Sequence, residues 1–523
     1  NIGDSNWHPE WARENRFRDF VEEAPDWNVS RQRYWGTPIP IWLPTERANV
    51  DSKTQNSSGE SIEWTGDMDE AIVVGDREEL AARVDQEIDP AAVDLHKGTV
   101  DDLTITENGV VYERVPDVFD VWLDSSVASW GAIDYPGNSD AYDELWPADL
   151  VIEAHDQTRG WFWSQLGMGT VSVEQVPYQN LVMHGHALMP DGRAMSKSRD
   201  IRIDPEEVIE EYGADPMRLF LLSITPRGED MNFSWERTEK MQRRLNILWN
   251  VVRFPLPYMA TDGFDPEDVS VADVADDLQT VDEWVLSRLA STTETVTEAM
   301  ENFENDRAVE ALLEFVVEDV SRFYVQEVRE RMWAESDSPS KRAAYATLYR
   351  VLADTVAMMA PFAPLATEEL YGALTGDTGH PTVHMADWPE PPAGRQDDAL
   401  EDQIAAVRAV EEAGSNARQR AERKLRWPVP RVVVDIDSAA LADAVEARRD
   451  LVSERLNARA VEVLGPDTDW GKLRYSAAAD MSLLGPEFGD DAGRIVGALN
   501  DARIEEPTLD ALETAVADAT GLA

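Results

Sequence analysis

Eight residues, Asp191-Gly192-Arg193-Ala194-Met195-Ser196-Lys197-Ser198, set one lysine between two hydroxyls at the tip of a polar stretch punctuated by glycine. A lysine ammonium is a point charge on a flexible stem, suited to neutralising a phosphate whose charge grows as it reacts. Alone, Ser-Lys-Ser is more often an ordinary solvated turn. Its flanks supply the context: Asn180–Leu188 reads as a short buried strand. Asp204-Pro205-Glu206-Glu207 opens a helix, with Asp204 at the cap, Pro205 at the first helical position and Glu207 three residues on. That helix ends at Gly213, and a second Asp-Pro cap, Asp215-Pro216, starts a helix over Met217–Ile224. The lysine therefore lies on a strand-to-helix loop, and in parallel α/β sheets such loops hold phosphates and nucleotides.

A second constellation follows the same logic. Asp149–Glu153 reads as a buried strand and Gln157 onward as an apolar helix. Glu153, His155, Asp156 and Gln157 thus fall at the carboxyl end of a strand, where a carboxylate suits an ammonium group. Trp161, one helical turn on, suits the apolar wall of a side-chain pocket, with core packing as its plainer role. For Trp163 core packing is the preferred reading. His184 and His186 stand two apart, on one face of their strand. Together with His155 and Asp156 they suggest a mononuclear metal hydrolase as a competing chemistry, one that no further ligand cluster in the sequence supports. In Ser30–Pro40, Arg31 and Arg33 alternate with polar and aromatic residues before a Gly-Thr-Pro turn. This arrangement suits a flat ring or a phosphate, or simply an Arg–Trp stacking corner.

The composition limits the setting. A chain of 523 residues implies roughly two to four domains. Hydrophobic residues make up 43%, enough to build cores despite 102 Asp plus Glu against 47 Lys plus Arg and a net charge of −55. The acidic excess is spread along the chain, as expected of a protein working in a high-salt cytoplasm that screens self-repulsion. With no cysteine, disulfides, thiolate zinc sites and cysteine nucleophiles are excluded. No apolar run reaches the length of a membrane span and no signal-peptide pattern opens the chain, so a cytoplasmic protein without membrane contact is expected.

Along the chain, Asn1–Asp26 reads as polar helix. Residues 43–115 read as an inserted polar subdomain with a loop near Asp51–Ser61 and a helix near Asp76–Val84. Glu239–Tyr258 carries a stripe of Leu245, Leu248, Trp249 and Val252. The acidic segment Thr261–Thr280 marks a boundary, and Asp282–Leu374 repeats apolar residues at helical spacing, as in an antiparallel bundle. After a Pro-rich loop and a helix over Ala399–Arg423 come Arg418, Arg420, Arg423, Lys424 and Arg426, the most basic patch in the chain. It suits RNA phosphates, or equally a solvated helix face. Strands at Arg431–Ile436 and Ala460–Leu464 around the helix Ala439–Leu456 form a small α/β unit, and a last helix lies near Asp510–Asp518.

These stretches together resemble the class I aminoacyl-tRNA synthetases, and the isoleucyl family in particular. The Lys197 loop is similar to that class's K-M-S-K-S signature, with Ala194 in place of the first lysine and Arg199-Asp200-Ile201 where the family has any residue and then G-N. Ser30–Pro40 resembles S-R-Q-R-Y-W-G-T-P-I-P, shared by isoleucyl and leucyl enzymes. Glu153–Phe162 resembles the isoleucyl E-G-x-D-Q-x-R-G-W-F, with Ala154 for Gly, and Met231–Asn250 resembles the same family. The resemblance runs from about Arg16 to Leu464. It implies the C-terminal half of an α/β, Rossmann-like nucleotide-binding catalytic domain (residues 1–235), with the insertion at 43–115 and a connecting helix and linker over 236–280. An all-α anticodon-binding bundle (281–425) and a small α/β C-terminal region (426–523) follow. It further implies activation of isoleucine by ATP with Mg2+ and transfer to tRNA(Ile). In these roles Lys197 acts on the α-phosphate, with Met195, Ser196 and Ser198 in its loop. Glu153, Asp156, Gln157, His184 and Gly185 lie at the amino acid and adenylate, and Trp161 lines the side-chain pocket; Arg418, Arg420, Arg423, Lys424 and Arg426 are assigned to tRNA on their charge. No structural zinc is expected, and a monomer is. The family's first ATP motif, H-I-G-H, and its editing insertion are missing from the sequence, so a fragment cut at both ends is expected, inactive alone. A leucyl enzyme and a tRNA-binding module without catalysis remain as alternatives.

Overall fold

The computed structural model describes residues 2–46, 63–64, 70–224, 227–376, 378–391 and 394–466. It also describes 468, 470, 477, 479, 484, 486, 488–504 and 508–521. The chain divides into two compact units: residues 1–269 with 292–337 and 348–390, and residues 270–291 with 338–347 and 391–523.

The first unit is built on a parallel sheet of three strands, β1 (Asn6–His8), β2 (Ala148–Ala154) and β3 (Tyr178–His184), in the order β1-β3-β2. Register pairs Trp7 with Leu181 and Met183 with Glu153. Helix α1 (Trp161–Val173) crosses from β2 to β3 and covers one face. A core of Trp7, Phe17, Val151, Phe162, Leu166, Tyr178, Leu181 and Met183 fills the space, with Trp161 and Trp163 packed against it. Trp163 meets Phe20 and Trp27 at ring-centroid distances of 5.9 and 5.2 Å, the core role expected of it. The polar helix expected over Asn1–Asp26 is interrupted near its start by β1, which follows a short turn at Ile2–Asp4; the longer helical stretch includes Ala12–Phe17 and Arg18–Glu22. Three residues give no readable alternation, and their strand state comes from pairing with a segment far along the chain.

The strand read over Asn180–Leu188 breaks in two. β3 ends at His184, and β4 (Ala187–Leu188) turns away to pair in parallel with β5 (Met231–Asn232). Gly185 permits the break. A Cβ there would stand 2.0 Å from the Glu229 carbonyl oxygen, closer than any side chain can come. Beyond the Lys197 loop come α2 (Pro205–Tyr212) and α3 (Ala214–Ile224), and Ser234 caps α4 (Trp235–Arg253) through its hydroxyl, 3.2 Å from the Arg237 amide. Asp204 stands at the cap position of α2 but makes no capping hydrogen bond. Asp215, expected to cap its own helix, lies inside α3 and caps another. It is 4% exposed, and its carboxylate accepts from the amides of Leu365 (3.4 Å) and Ala366 (2.6 Å). The inserted region forms an antiparallel sheet of Ile41–Glu46, Glu63–Trp64, Ile72–Val73, Thr104–Glu107 and Val110–Arg114; the helix expected near Asp76–Val84 is Arg77–Arg83, and Asp76 caps it. The loop expected near Asp51–Ser61 lies outside the described residues.

Helices also complete the first unit. α5 (Asn305–Glu314) continues through Phe315–Tyr324 and Val325–Trp333, and α6 (Pro364–Thr375) is the helix that Asp215 caps. Arg244 of α4 forms a two-point ion pair with Glu310 of α5 at 2.8 and 3.0 Å, holding the Glu310 carboxyl below its ordinary range. Arg218 of α3 donates to the carbonyls of Pro361 (2.8 Å) and Phe362 (3.2 Å), just before α6.

In the second unit, α7 (Asp398–Arg420) packs on β6 (Val432–Asp435), α8 (Ala439–Ala447), α9 (Arg449–Arg455) and β7 (Val461–Leu464). β6 and β7 pair in parallel, and the single helix expected between them is two, parted at Arg448. Ala406, Val407 and Val410 of α7 share one core with Val445, Val452, Leu456 and Val461. The C-terminal part of α7 thus packs with the small α/β unit. Further on, the last expected helix is Leu509–Thr520. No helix among the described residues is long and apolar enough to cross a membrane.

Candidate functional site

The Lys197 loop is more ordered than a plain strand-to-helix connection. Gly192, at φ +83°, closes a tight turn in which the Met189 amide donates to the Arg193 carbonyl at 2.8 Å and the Gly192 amide to Met189 at 2.9 Å. Ser196 and Ile201 exchange both backbone hydrogen bonds (2.6 and 3.1 Å), pinching residues 197–200 into a single helical turn. The hydroxyls of Ser196 and Ser198 meet at 3.1 Å across its base. Met195 is half-buried, and Lys197 is exposed; its carbonyl accepts from the Asp200 amide at 3.2 Å, while its ammonium has no hydrogen bond or ion pair among the described residues. Ala194 takes part in the turn by bridging to Leu188. The serines brace the loop, and the ammonium projects from it.

At the carboxyl ends of β2 and β3 lie the other expected residues. Gln157 accepts from the Trp161 amide at 2.9 Å and donates to Asp156 at 3.0 Å, so it caps α1 and fixes the Asp156 carboxylate at once. Glu153 is exposed, its carboxylate within 3.2 Å of the Ala154 amide. Ala154 itself is buried and fits without displacing the strand. Trp161 is half-buried; its indole N–H donates to the Ser125 carbonyl at 2.9 Å, which sets the plane of the ring.

The two histidines of β3 part company. His184 turns its Nδ1 to the Gly185 carbonyl at 2.7 Å, whereas His186, past the break, faces His155 with ring centroids 4.6 Å apart. The residue that joins them, Asp230, was not singled out from the sequence, although it adjoins the Met231–Trp235 stretch that was. Its Oδ1 lies 3.0 Å from His155 Nε2 and accepts from the His186 amide at 2.7 Å, and these hydrogen bonds keep its carboxyl well below the usual carboxylate range. The ligand cluster not found in the sequence is therefore His155, His186 and Asp230, without His184.

Ser30–Pro40 lines a cavity of about 960 Å³ with His96, Phe119, Asp120, Trp122 and Asp124. Arg31 pairs with buried Asp120, which also accepts from the Trp27 indole (3.1 Å) and the Trp122 amide (3.1 Å). Arg33 is exposed, and Trp35 stacks on His96 at 4.2 Å. Burial pushes the Asp124 carboxyl up.

The basic patch divides. Arg418 is buried, donating from Nη1 to the Leu456 carbonyl (3.1 Å) and from Nη2 to the carbonyls of Lys424 (2.6 Å), Leu425 (3.3 Å) and Trp427. Its place among phosphate-facing cations is thus corrected: it holds the loop. Arg420, Arg423, Lys424 and Arg426 are exposed on or beside that loop, with Trp427 half exposed among them.

Residues 1–234 match the family described as tRNA synthetases class I (I, L, M and V), and residues 282–434 the anticodon-binding domain of tRNA ligase. The chain belongs to the class I tRNA synthetases. Within them it is similar to isoleucine–tRNA ligases. That of Haloarcula marismortui is 67% identical over 100% of this chain and 47% of its own length, and that of Halobacterium salinarum 61% identical over 99% and 48%. The Methanosarcina barkeri enzyme is 43% identical over 94% and 45%. The chain thus spans about half the length of the curated relatives it matches, and the high-salt reading of its composition accords with the first two. A solved LeuRS from Agrobacterium radiobacter, in a ternary complex with tRNA and LeuAMS, shares the fold at a TM-score of 0.50. It is 22% identical over 74% of this chain and 46% of that one.

Proposed function

We propose that the chain carries part of an isoleucine–tRNA ligase: activation of isoleucine by ATP with Mg2+, then transfer to tRNA(Ile). The observation that carries this reading is the exposed Lys197 ammonium on a loop braced by Ser196 and Ser198. At the ends of β2 and β3, Glu153 and Asp156 offer charge to the substrate ammonium, Gln157 fixes Asp156, and Trp161 walls the side chain. His184 and Gly185 lie at the adenylate. Lys197 then stabilises the charge that builds on the α-phosphate, an interaction worth most in the transition state. The helices matched by the anticodon-binding family, with Arg420, Arg423, Lys424 and Arg426, take tRNA. The setting is the cytoplasm and the working form a monomer.

The relatives' names favour isoleucine over leucine, as do the Glu153–Phe162 and Met231–Asn250 stretches. The test is Lys197→Ala in the complete protein at molar KCl, read by ATP–pyrophosphate exchange with isoleucine, leucine and valine. Exchange strongest with isoleucine and lowered by roughly 10²–10³-fold, with tRNA binding nearly unchanged, is expected. Unaltered exchange would remove Lys197 from the chemistry. Exchange driven by leucine would move the substrate to the other aliphatic amino acid.

A further inference from the structure

We propose that His155, His186 and Asp230 form a binding site for one divalent transition-metal ion of the zinc, cobalt and nickel type. The three side chains come from separate segments: the turn after β2, the break after β3, and the residue before β5. Their candidate ligand atoms all lie within 4.8 Å of one another. Asp230 Oδ1 stands 3.0 Å from His155 Nε2 and 3.9 Å from His186 Nδ1. Bonds of about 2.0–2.2 Å to a shared ion ask only for side-chain adjustments of this order.

The surroundings supply what His186 needs as a ligand. When His186 binds through Nδ1, its other nitrogen faces Asp156 Oδ1 at 3.3 Å, the carboxylate partner that fixes a ligating imidazole's tautomer and raises its basicity. Asp230 is held in place by the His186 amide. The geometry further depends on Gly185, since only a residue without Cβ lets the strand end approach Glu229 and Asp230 this closely. The ring nitrogen His155 Nδ1 is enclosed and has no hydrogen-bond partner among the described residues, which leaves Nε2 as the atom presented to the cluster.

Two imidazoles and one carboxylate select borderline transition metals over Mg2+ or Ca2+, which prefer all-oxygen shells. Three protein ligands leave at least one coordination position open to water. Once bound, it ties the Asp156–Gln157 turn to the break after β3. The site adjoins the residues proposed above for the amino acid and adenylate and shares Asp156 with them, but its test reads metal ligation and not aminoacylation.

The test is a titration of this chain with Co2+ in molar KCl and excess Mg2+, followed by visible absorption, with Zn2+ stoichiometry from calorimetry. One site is expected, with d–d bands reporting nitrogen ligation. His186→Ala and Asp230→Asn should abolish the bands. Asp156→Asn should weaken binding by about 10–100-fold, as loss of a ligand's orienting partner does. His384→Ala, an exposed histidine elsewhere, should change nothing. Circular dichroism of each variant separates lost ligation from lost folding, and His155→Gln gives a third ligand deletion, one that nearly keeps the side chain's bulk. Absence of the bands, or binding that survives all three ligand substitutions as surface carboxylate adsorption, overturns the proposal.

Discussion

Removing the Asp215 carboxylate should loosen a helix that lies more than a hundred residues further along the chain. Its two oxygens accept from the first amides of α6, at 2.6 and 3.4 Å, in a site only 4% exposed. A capping side chain replaced by alanine costs about 1 kcal/mol, with a range of about 0.5–2. A carboxylate at a helix N-terminus adds about 0.3–1 kcal/mol through the helix dipole at the surface, and up to about 2 where it is partly buried. Asp215→Ala should therefore cost about 2 kcal/mol, and Asp215→Asn, which keeps an acceptor but not the charge, about half of that. The control is Asp204→Ala: it sits at the cap position of α2 without a capping hydrogen bond, so a cost within about 0.5 kcal/mol is expected. Urea unfolding at fixed molar KCl, monitored by circular dichroism, gives the three midpoints on one scale. If Asp215→Ala proved no more harmful than Asp204→Ala, the assignment of Asp215 as the cap of α6 would be wrong.

Four other outcomes can be measured alongside. Gly185→Ala puts a Cβ into the Glu229 backbone and should destabilise by about 3 kcal/mol, the upper end for overpacking, with midpoint shifts in urea as the readout. Arg418→Ala should cost stability by releasing the carbonyls of the 424–427 loop. Arg423→Gln with Lys424→Gln should leave the midpoint in place and lower both tRNA affinity and the slope of its salt dependence. Glu310, held below its ordinary value by Arg244, contributes stability that is complete above pH 4.5 and is lost as pH falls through its lowered folded value. Glu310→Gln should accordingly flatten the acid limb of the stability profile, and an unchanged limb would place the pH dependence elsewhere.

What the sequence revealed is what short stretches encode by themselves. Gly213 ends α2, a helix forms over Arg77–Arg83, and of the stripe Leu245, Leu248, Trp249 and Val252 all but the half-buried Trp249 are buried. The residues from Glu153 to Trp161 lie at a strand-to-helix junction, because the switch in hydrophobic period from two to 3.6 is written there. Hidden were the features made by distant partners. β1 is a strand because Asn180–Val182 offers it a ladder, Asp215 is a cap because Leu365 and Ala366 arrive beside it, and Asp230 joins two histidines across a strand break. Arg418 shows the same limit in reverse. Composition marked it as one cation among several, whereas Leu456 and the 424–427 carbonyls enclose it.

Asp215 and Arg218 also act on one another's behalf. One takes the amides at the start of α6 and the other the carbonyls of Pro361 and Phe362 just before it, so the same short segment is gripped by opposite polarities. A grip of that kind resists both pulling and twisting. Parting α3 from the start of α6 therefore means breaking four hydrogen bonds of both senses together.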